Sequence, residues 1–149
     1  MASLVKPLTS KEIVAFELAK TPEAATTLIK EWQEKDLIGN AKKSIYLDFI
    51  FLVLYSVSIG LGCSVLSKLT ESTFLIQAGF VLSRIIALAG LCDVIENLAM
   101  LKSISGDLTA WSTAVAFWFA SVKFLVVVCC LLFVVSCLVI AGVKRILRI

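Results

Sequence analysis

Three polar side chains interrupt a long apolar stretch in the middle of the sequence: Asp93, Glu96 and Asn97. Their spacing of i, i+3 and i+4 places them on one face of a helix. A charged side chain at the centre of a bilayer costs at least ~2.5–3.5 kcal/mol on insertion scales, so such residues usually pair or serve a function. Carboxylates also take up and release protons. These three residues are therefore the first candidates for a functional site.

Other apolar stretches also contain ionisable side chains. Tyr55 follows Asp48 by seven residues, which places both on one helix face. Lys123 lies on a face that otherwise carries small side chains, so we expect it to point away from lipid. Arg84 lies deep in its stretch and needs an acceptor, for which we expect Asp48 or a carboxylate of another subunit. We predict a ligand or ion pocket lined by Asp48, Tyr55, Arg84, Asp93, Glu96, Asn97 and Lys123.

The sequence lacks the residues and motifs of most cofactor and enzyme sites. It contains no histidine, and its cysteines form no CxxC pair. No P-loop, GxGxxG, GxSxG or HExxH motif is present. Asp48, Asp93 and Glu96 offer oxygen ligands for a divalent cation, but we expect them to form salt bridges with Lys123 and Arg84 instead. We therefore predict no metal and no cofactor.

The composition indicates an integral membrane protein. Hydrophobic residues make up 60% of the 149 residues, whereas a soluble domain is about 45–50% apolar. A soluble fold of this length has too little interior to cover that much apolar surface. We predict the all-α fold class, as an integral membrane helical bundle in contact with membrane lipid.

Three apolar stretches are long enough to cross a bilayer, which takes about 20 helical residues. We predict spans over residues 45–66, 74–101 and 112–142. As a helix the third span would reach about 46 Å, against a bilayer core of about 30 Å. It is too long for one upright span and too short for two. We therefore expect it to tilt or to leave Trp111 and Trp118 at the interface.

Residues 1–40 form a predicted amphipathic helical segment ahead of the transmembrane domain, residues 41–149. Thr9 and Glu12 have the spacing of a capping box, which indicates the start of a first short helix. Thr21 is followed by proline, and this pair predicts the start of a second helix. The segment is thus predicted to hold two helices.

The second of these helices is expected to end at Gly39 and Asn40. Its apolar residues recur at helical spacing, while its lysines and glutamates face away. We expect the apolar face to pack on the chain's own transmembrane domain, or to lie on the bilayer surface with Trp32 as an interfacial anchor. The alternative is that residues 9–37 dock a protein partner.

The alternation of three spans brings most of the polar residues to one level of the bilayer. Asp48 lies about one turn after the start of the first span, and Asp93, Glu96 and Asn97 lie at the end of the second. Lys123 follows the start of the third span, so we expect all five in the leaflet on the side of the N-terminus. The alternative is that these charges only pair and fix packing and topology.

Small residues recur every four positions on two of the spans, a pattern that lets helix backbones approach closely in lipid. They are Ser56, Gly60 and Ser64 on the first span and Gly79, Ser83 and Ala87 on the second. This pattern predicts a tightly packed bundle or a homo-oligomer. It does not by itself predict a ligand.

The distribution of charge excludes a nucleic-acid partner and gives an orientation. Basic residues of the N-terminal segment are interleaved with acidic ones rather than clustered. Lysines are more numerous on the side of the N-terminus, although Lys144, Arg145 and Arg148 make the opposite end basic too. The positive-inside rule then predicts a cytoplasmic N-terminus.

Two functional hypotheses follow from these residues. The first is a small transport or permeation protein, whose charged pocket carries protons or ions or binds a small polar or lipid ligand. The second is a non-catalytic accessory or assembly subunit of a membrane complex, in which the charges only pair. A membrane-embedded enzyme that uses the carboxylates as acid and base is a more distant alternative.

Overall fold

The computed structural model describes residues 8–147, and it is all-helical, with 89% helix. No strand occurs in that range, so the predicted all-α fold class is confirmed. The elements in chain order are α1 (Ser10–Glu17), α2 (Pro22–Glu34), α3 (Ile38–Leu66), a 3-10 turn (Ser67–Thr70), α4 (Thr73–Ile104) and α5 (Ala110–Leu147). Arg148, which enters the predicted orientation, lies outside the described residues.

The two short helices begin where the sequence predicts. The backbone N–H of Thr9 donates to Glu12 Oε2 at 2.7 Å, and the N–H of Glu12 donates to Thr9 Oγ1, which completes the capping box. The Thr21 hydroxyl caps α2 by accepting from the N–H of Ala24 at 3.3 Å. These caps satisfy N–H groups that have no partner inside the helix.

The predicted end of the second helix is wrong. Helix α2 ends at Glu34, and α3 begins at Ile38, so Gly39 and Asn40 lie inside α3. The chain leaves α2 through Asp36, whose φ of 54° is left-handed. Aspartate tolerates this conformation better than most residues because its short side chain can bond locally. The turn therefore needs no glycine.

Helices α3, α4 and α5 are long and apolar enough to cross a membrane. Helix α3 begins ahead of the predicted first span, and α4 continues past the predicted end of the second, to Ile104. Helical backbone hydrogen bonds continue through the polar residues at these ends, so the helices are longer than the apolar stretches. Helix α5 is a single continuous helix of 38 residues, or about 57 Å, and does not fold back into a pair.

The structure contains two compact units, and each of the three long helices contributes to both. The described part of the first unit comprises residues 8–51 and 93–121. Its core joins α1 and α2 to the long helices, with Trp32 packed beside Phe16 at a ring-centroid distance of 5.2 Å. Ile45 of α3 and Met100 of α4 belong to the same buried cluster.

Trp32 is buried in the chain and does not lie at a bilayer surface, which was one of the two placements expected for α2. The side chain is only 1% exposed, because the apolar face of α2 packs on the chain's own helices. A tryptophan offers a large apolar area, which a protein core can use as well as a lipid interface can. Of the two placements expected for this face, the structure contains the one on the chain's own long helices.

The second unit comprises residues 52–92 and 122–147 of the described chain. Its core is formed by Cys63, Ile86, Ala89 and Cys130. A Cβ atom at Gly79 would collide with the carbonyl oxygen of Cys63 and with the Ser67 side chain. At Gly60 a Cβ would lie 3.3 Å from Ile86. Helices α3 and α4 therefore approach closely at these two glycines.

Candidate functional site

The clearest polar contact between two long helices joins α3 and α4 in the first unit. Asn97 Nδ2 donates a hydrogen bond to Asp48 Oδ2 at 2.8 Å. Asn97 is 1% exposed, whereas Asp48 is partly buried. An ionised carboxylate only accepts hydrogen bonds, which orients the amide with its nitrogen toward Asp48. The structure thus brings two of the predicted site residues into direct contact.

Two carboxylates lie beside this hydrogen bond on α4. Asp93 and Glu96 are 1% and 0% exposed, and both face inward together with Asn97, as their spacing predicts. Neither is without a partner. Burial of an ionised group is costly unless it is paired or hydrogen-bonded. We refer to Asp48, Asp93, Glu96 and Asn97 as the polar cluster.

The amide oxygen of Asn97 is a buried acceptor of the polar cluster. Asn97 Oδ1 is buried, and no donor within residues 8–147 bonds to it. A buried polar atom that lacks a hydrogen bond costs about 1–3 kcal/mol. Because Asp48 already takes the amide nitrogen, this oxygen is free to accept from a proton-bearing group on the same helix face.

The three other predicted pocket residues belong to the second unit. Tyr55 is partly buried and packs against the Cys63 cluster. Lys123 is 6% exposed, and its Nζ lies 4.9 Å from the centroid of the Phe124 ring. Arg84 is exposed, and its guanidinium lies 4.3 Å from the centroid of the Phe80 ring. The face of an aromatic ring attracts a cation and so partly offsets the loss of its hydration in apolar surroundings.

The predicted small-residue positions differ in their burial. Gly60 and Gly79 are buried at the contact between α3 and α4. Ser64 and Ser83 are partly buried, and each hydroxyl donates to the carbonyl three residues earlier in its own helix. Ala87 is exposed. Ser56 is partly buried.

Several buried polar residues of the first unit do not belong to the predicted pocket. Glu17, at the end of α1, is buried, and its position four residues after Ile13 is a signal that the sequence offered. Ser103 donates to Ser112 at 3.0 Å and so links the end of α4 to the start of α5. The N–H of Ser112 donates to the Thr109 hydroxyl at 3.0 Å, which caps α5.

The described carboxylates are not grouped as ligands for a metal ion. Within residues 8–147, no group of three histidine, cysteine, aspartate or glutamate side chains is placed to hold a metal ion. The divalent-cation alternative for Asp48, Asp93 and Glu96 therefore has no geometric support. The polar cluster offers carboxyl groups, which can take up and release protons, and one amide, which only donates and accepts hydrogen bonds.

No protein-family model matches the chain, and neither a curated protein nor a solved structure is significantly similar to it. What the polar cluster can do follows from its own side chains. Two fully buried carboxylates and a third carboxylate held by an amide are groups that change charge by one proton at a time.

Proposed function

We propose that the chain is a small integral membrane protein whose polar cluster carries protons. The observation that carries this proposal is the hydrogen bond from Asn97 to Asp48, with the buried carboxylates of Asp93 and Glu96 on the same face of α4. Chains of acidic side chains inside membrane helices commonly serve as proton relays.

The apolar surface of the long helices supports the membrane part of the proposal. In the most apolar stretch of α3, α4 and α5, only 17%, 28% and 11% of the residues are buried within the chain. The remaining side chains need an apolar surrounding, which a bilayer provides. In this proposal the helices cross the bilayer three times, with the N-terminus in the cytoplasm.

Proton exchange suits the chemistry of the polar cluster. A buried carboxylate that takes up a proton loses its charge and with it most of the cost of burial, and release of the proton restores the charge. Asn97 contacts Asp48 through its nitrogen and has a free acceptor oxygen. In this proposal the amide oxygen accepts from a carboxyl group of α4 once that group is protonated, and so links it to Asp48 without itself gaining or losing a proton.

Proton flux in reconstituted liposomes tests the proposal. A pH-sensitive dye inside the liposomes reports flux driven by a potassium diffusion potential. We expect flux with the wild-type chain and loss of flux in Asp48→Asn and Glu96→Gln, because both changes keep the side-chain shape but remove the titratable group. Glu31→Gln is the matched control, since Glu31 is exposed and pairs with Lys35 on the surface of α2.

Two results would contradict a proton function. One is wild-type flux equal to that of protein-free liposomes, and the other is undiminished flux in Glu96→Gln. Thermal unfolding and gel filtration in detergent, measured on the same samples, separate a lost proton site from a lost fold.

The second candidate function is a non-catalytic accessory or assembly subunit. It is favoured by the same hydrogen bond, since a paired Asp48 and Asn97 can serve only to hold α3 against α4. In that case the wild-type chain conducts no protons, while substitutions at Asp48 and Asn97 still lower its stability. The apolar face of α1 and α2 is buried in the chain itself, so a partner would meet mainly their charged face.

A further inference from the structure

An open groove lies where α5 reaches its basic end, in the second unit. It has a volume of about 420 Å³, and its walls include Leu69, Glu71, Leu138, Gly142, Lys144 and Arg145. Sites for small ligands usually measure roughly 300–1,000 Å³. None of these residues belongs to the polar cluster.

The two cations of the groove differ in their partners. Lys144 Nζ donates to the carbonyl oxygen of Thr70 at 2.6 Å and lies 3.8 Å from Glu71 Oε2. These contacts hold the end of α5 against the turn between α3 and α4. Arg145 is exposed and forms no ion pair with any residue in the range 8–147. Its guanidinium is the cation that remains available to an anion.

Apart from Glu71 and the two cations, the groove is lined by apolar residues. Leu69 and Leu138 are 55% and 49% exposed, and a Cβ atom at Gly142 would meet nothing within 4 Å. Leu138 and Arg145 are separated by about 10 Å along the helix axis. A ligand that fills the groove must therefore carry an apolar portion and, about two helical turns away, an anionic group.

We propose that this groove binds one anionic phospholipid, with an acyl chain along Leu69, Leu138 and Gly142 and the phosphate at Arg145. The planar guanidinium pairs with two phosphate oxygens at once. The place where an apolar helix becomes basic is also where a lipid headgroup lies in a bilayer. Inorganic phosphate would bind through Arg145 alone and would leave the apolar wall of the groove uncovered.

Lipid titration of the purified full chain tests this proposal. Native mass spectrometry in a non-ionic detergent compares phosphatidylglycerol with phosphatidylcholine of the same short acyl chains. We expect tighter binding of phosphatidylglycerol and about fivefold weaker binding of that lipid in Arg145→Gln, the effect of one cation at a membrane surface. Gly142→Phe, which fills the groove, should weaken the binding of both lipids.

Lys102→Gln is the matched control, because Lys102 is an exposed cation in the last turn of α4. It should leave lipid binding unchanged, and so should Asp48→Asn, which keeps this test separate from that of proton flux. Equal affinity for the two lipids, or unchanged phosphatidylglycerol binding in both Arg145→Gln and Gly142→Phe, would overturn the proposal. Displacement of the lipid by inorganic phosphate would also overturn it, since the groove would then recognise phosphate alone.

Discussion

The hydrogen bond from Asn97 to Asp48 joins α3 and α4 through two side chains that water would solvate well. Each side chain loses that hydration where it lies in the bundle, and the bond between them replaces part of it. The remaining oxygen of Asn97 and the adjacent carboxylates make this position polar on the otherwise apolar face of α4. At the scale of single residues, the same atoms can hold the helices together and exchange protons.

A double-mutant cycle measures how much the contact between Asp48 and Asn97 contributes to the stability of the protein. We expect Asp48→Ala and Asn97→Ala each to lower the free energy of unfolding, and the double mutant to lose less than the sum of the two. Side-chain hydrogen bonds within membrane proteins couple by about 0.6 kcal/mol on average and up to about 1.7 kcal/mol. Reversible unfolding in mixed micelles, followed by circular dichroism, gives the coupling energy. Strict additivity would mean that the contact contributes nothing to stability.

At the scale of elements, α1 and α2 pack on the long helices. Their apolar faces meet α3, α4 and α5 in one buried cluster that contains Trp32, Met100 and Ala116. Lys20 of the same segment lies 5.4 Å from the Phe117 ring of α5. The N-terminal segment is therefore part of the folded structure of the first unit.

Substitution of Trp32 tests this packing. We expect Trp32→Ala to lower the free energy of unfolding by roughly 3–5 kcal/mol, the range for loss of a large aromatic core side chain. Trp111→Ala is the control, since Trp111 is 78% exposed and should change stability far less. Thermal unfolding of both variants in the same detergent measures the two losses of stability. If the two melted alike, Trp32 would not belong to a core.

The sequence predicted the long helices well because apolar length is a property of one segment at a time. It left two placements open for Trp32 because an amphipathic face has the same pattern whether lipid or protein covers it. It failed at the end of α2 because Asp36 makes a left-handed turn that Gly39 and Asn40 were expected to make. The placement of Trp32 depends on what the segment meets in three dimensions, whereas the turn depends on a left-handed conformation that Asp36 adopts less readily than glycine.

At the scale of the whole molecule, the candidate site was predictable only in part. Helical spacing placed Asp93, Glu96 and Asn97 on one inward face, and the alternation of spans indicated Asp48 as a neighbour of that face. Spacing did not show that Arg84 is exposed beside Phe80. When a helix is apolar on nearly all sides, its sequence does not indicate which side faces the other helices. Membership of Tyr55, Arg84 and Lys123 in a common pocket stays a prediction.

Membrane crossing is the claim on which the proposed proton and lipid functions both depend. Single cysteines introduced at Lys35, Glu71 and Asp107, all exposed outside the long helices, can be labelled with a membrane-impermeant maleimide in sealed vesicles of known orientation. The unmodified chain gives the background, since its five cysteines all lie within α3, α4 and α5. We predict that positions 35 and 107 react from the cytoplasmic side and position 71 from the opposite side. Labelling of all three positions from one side would contradict three crossings of the bilayer.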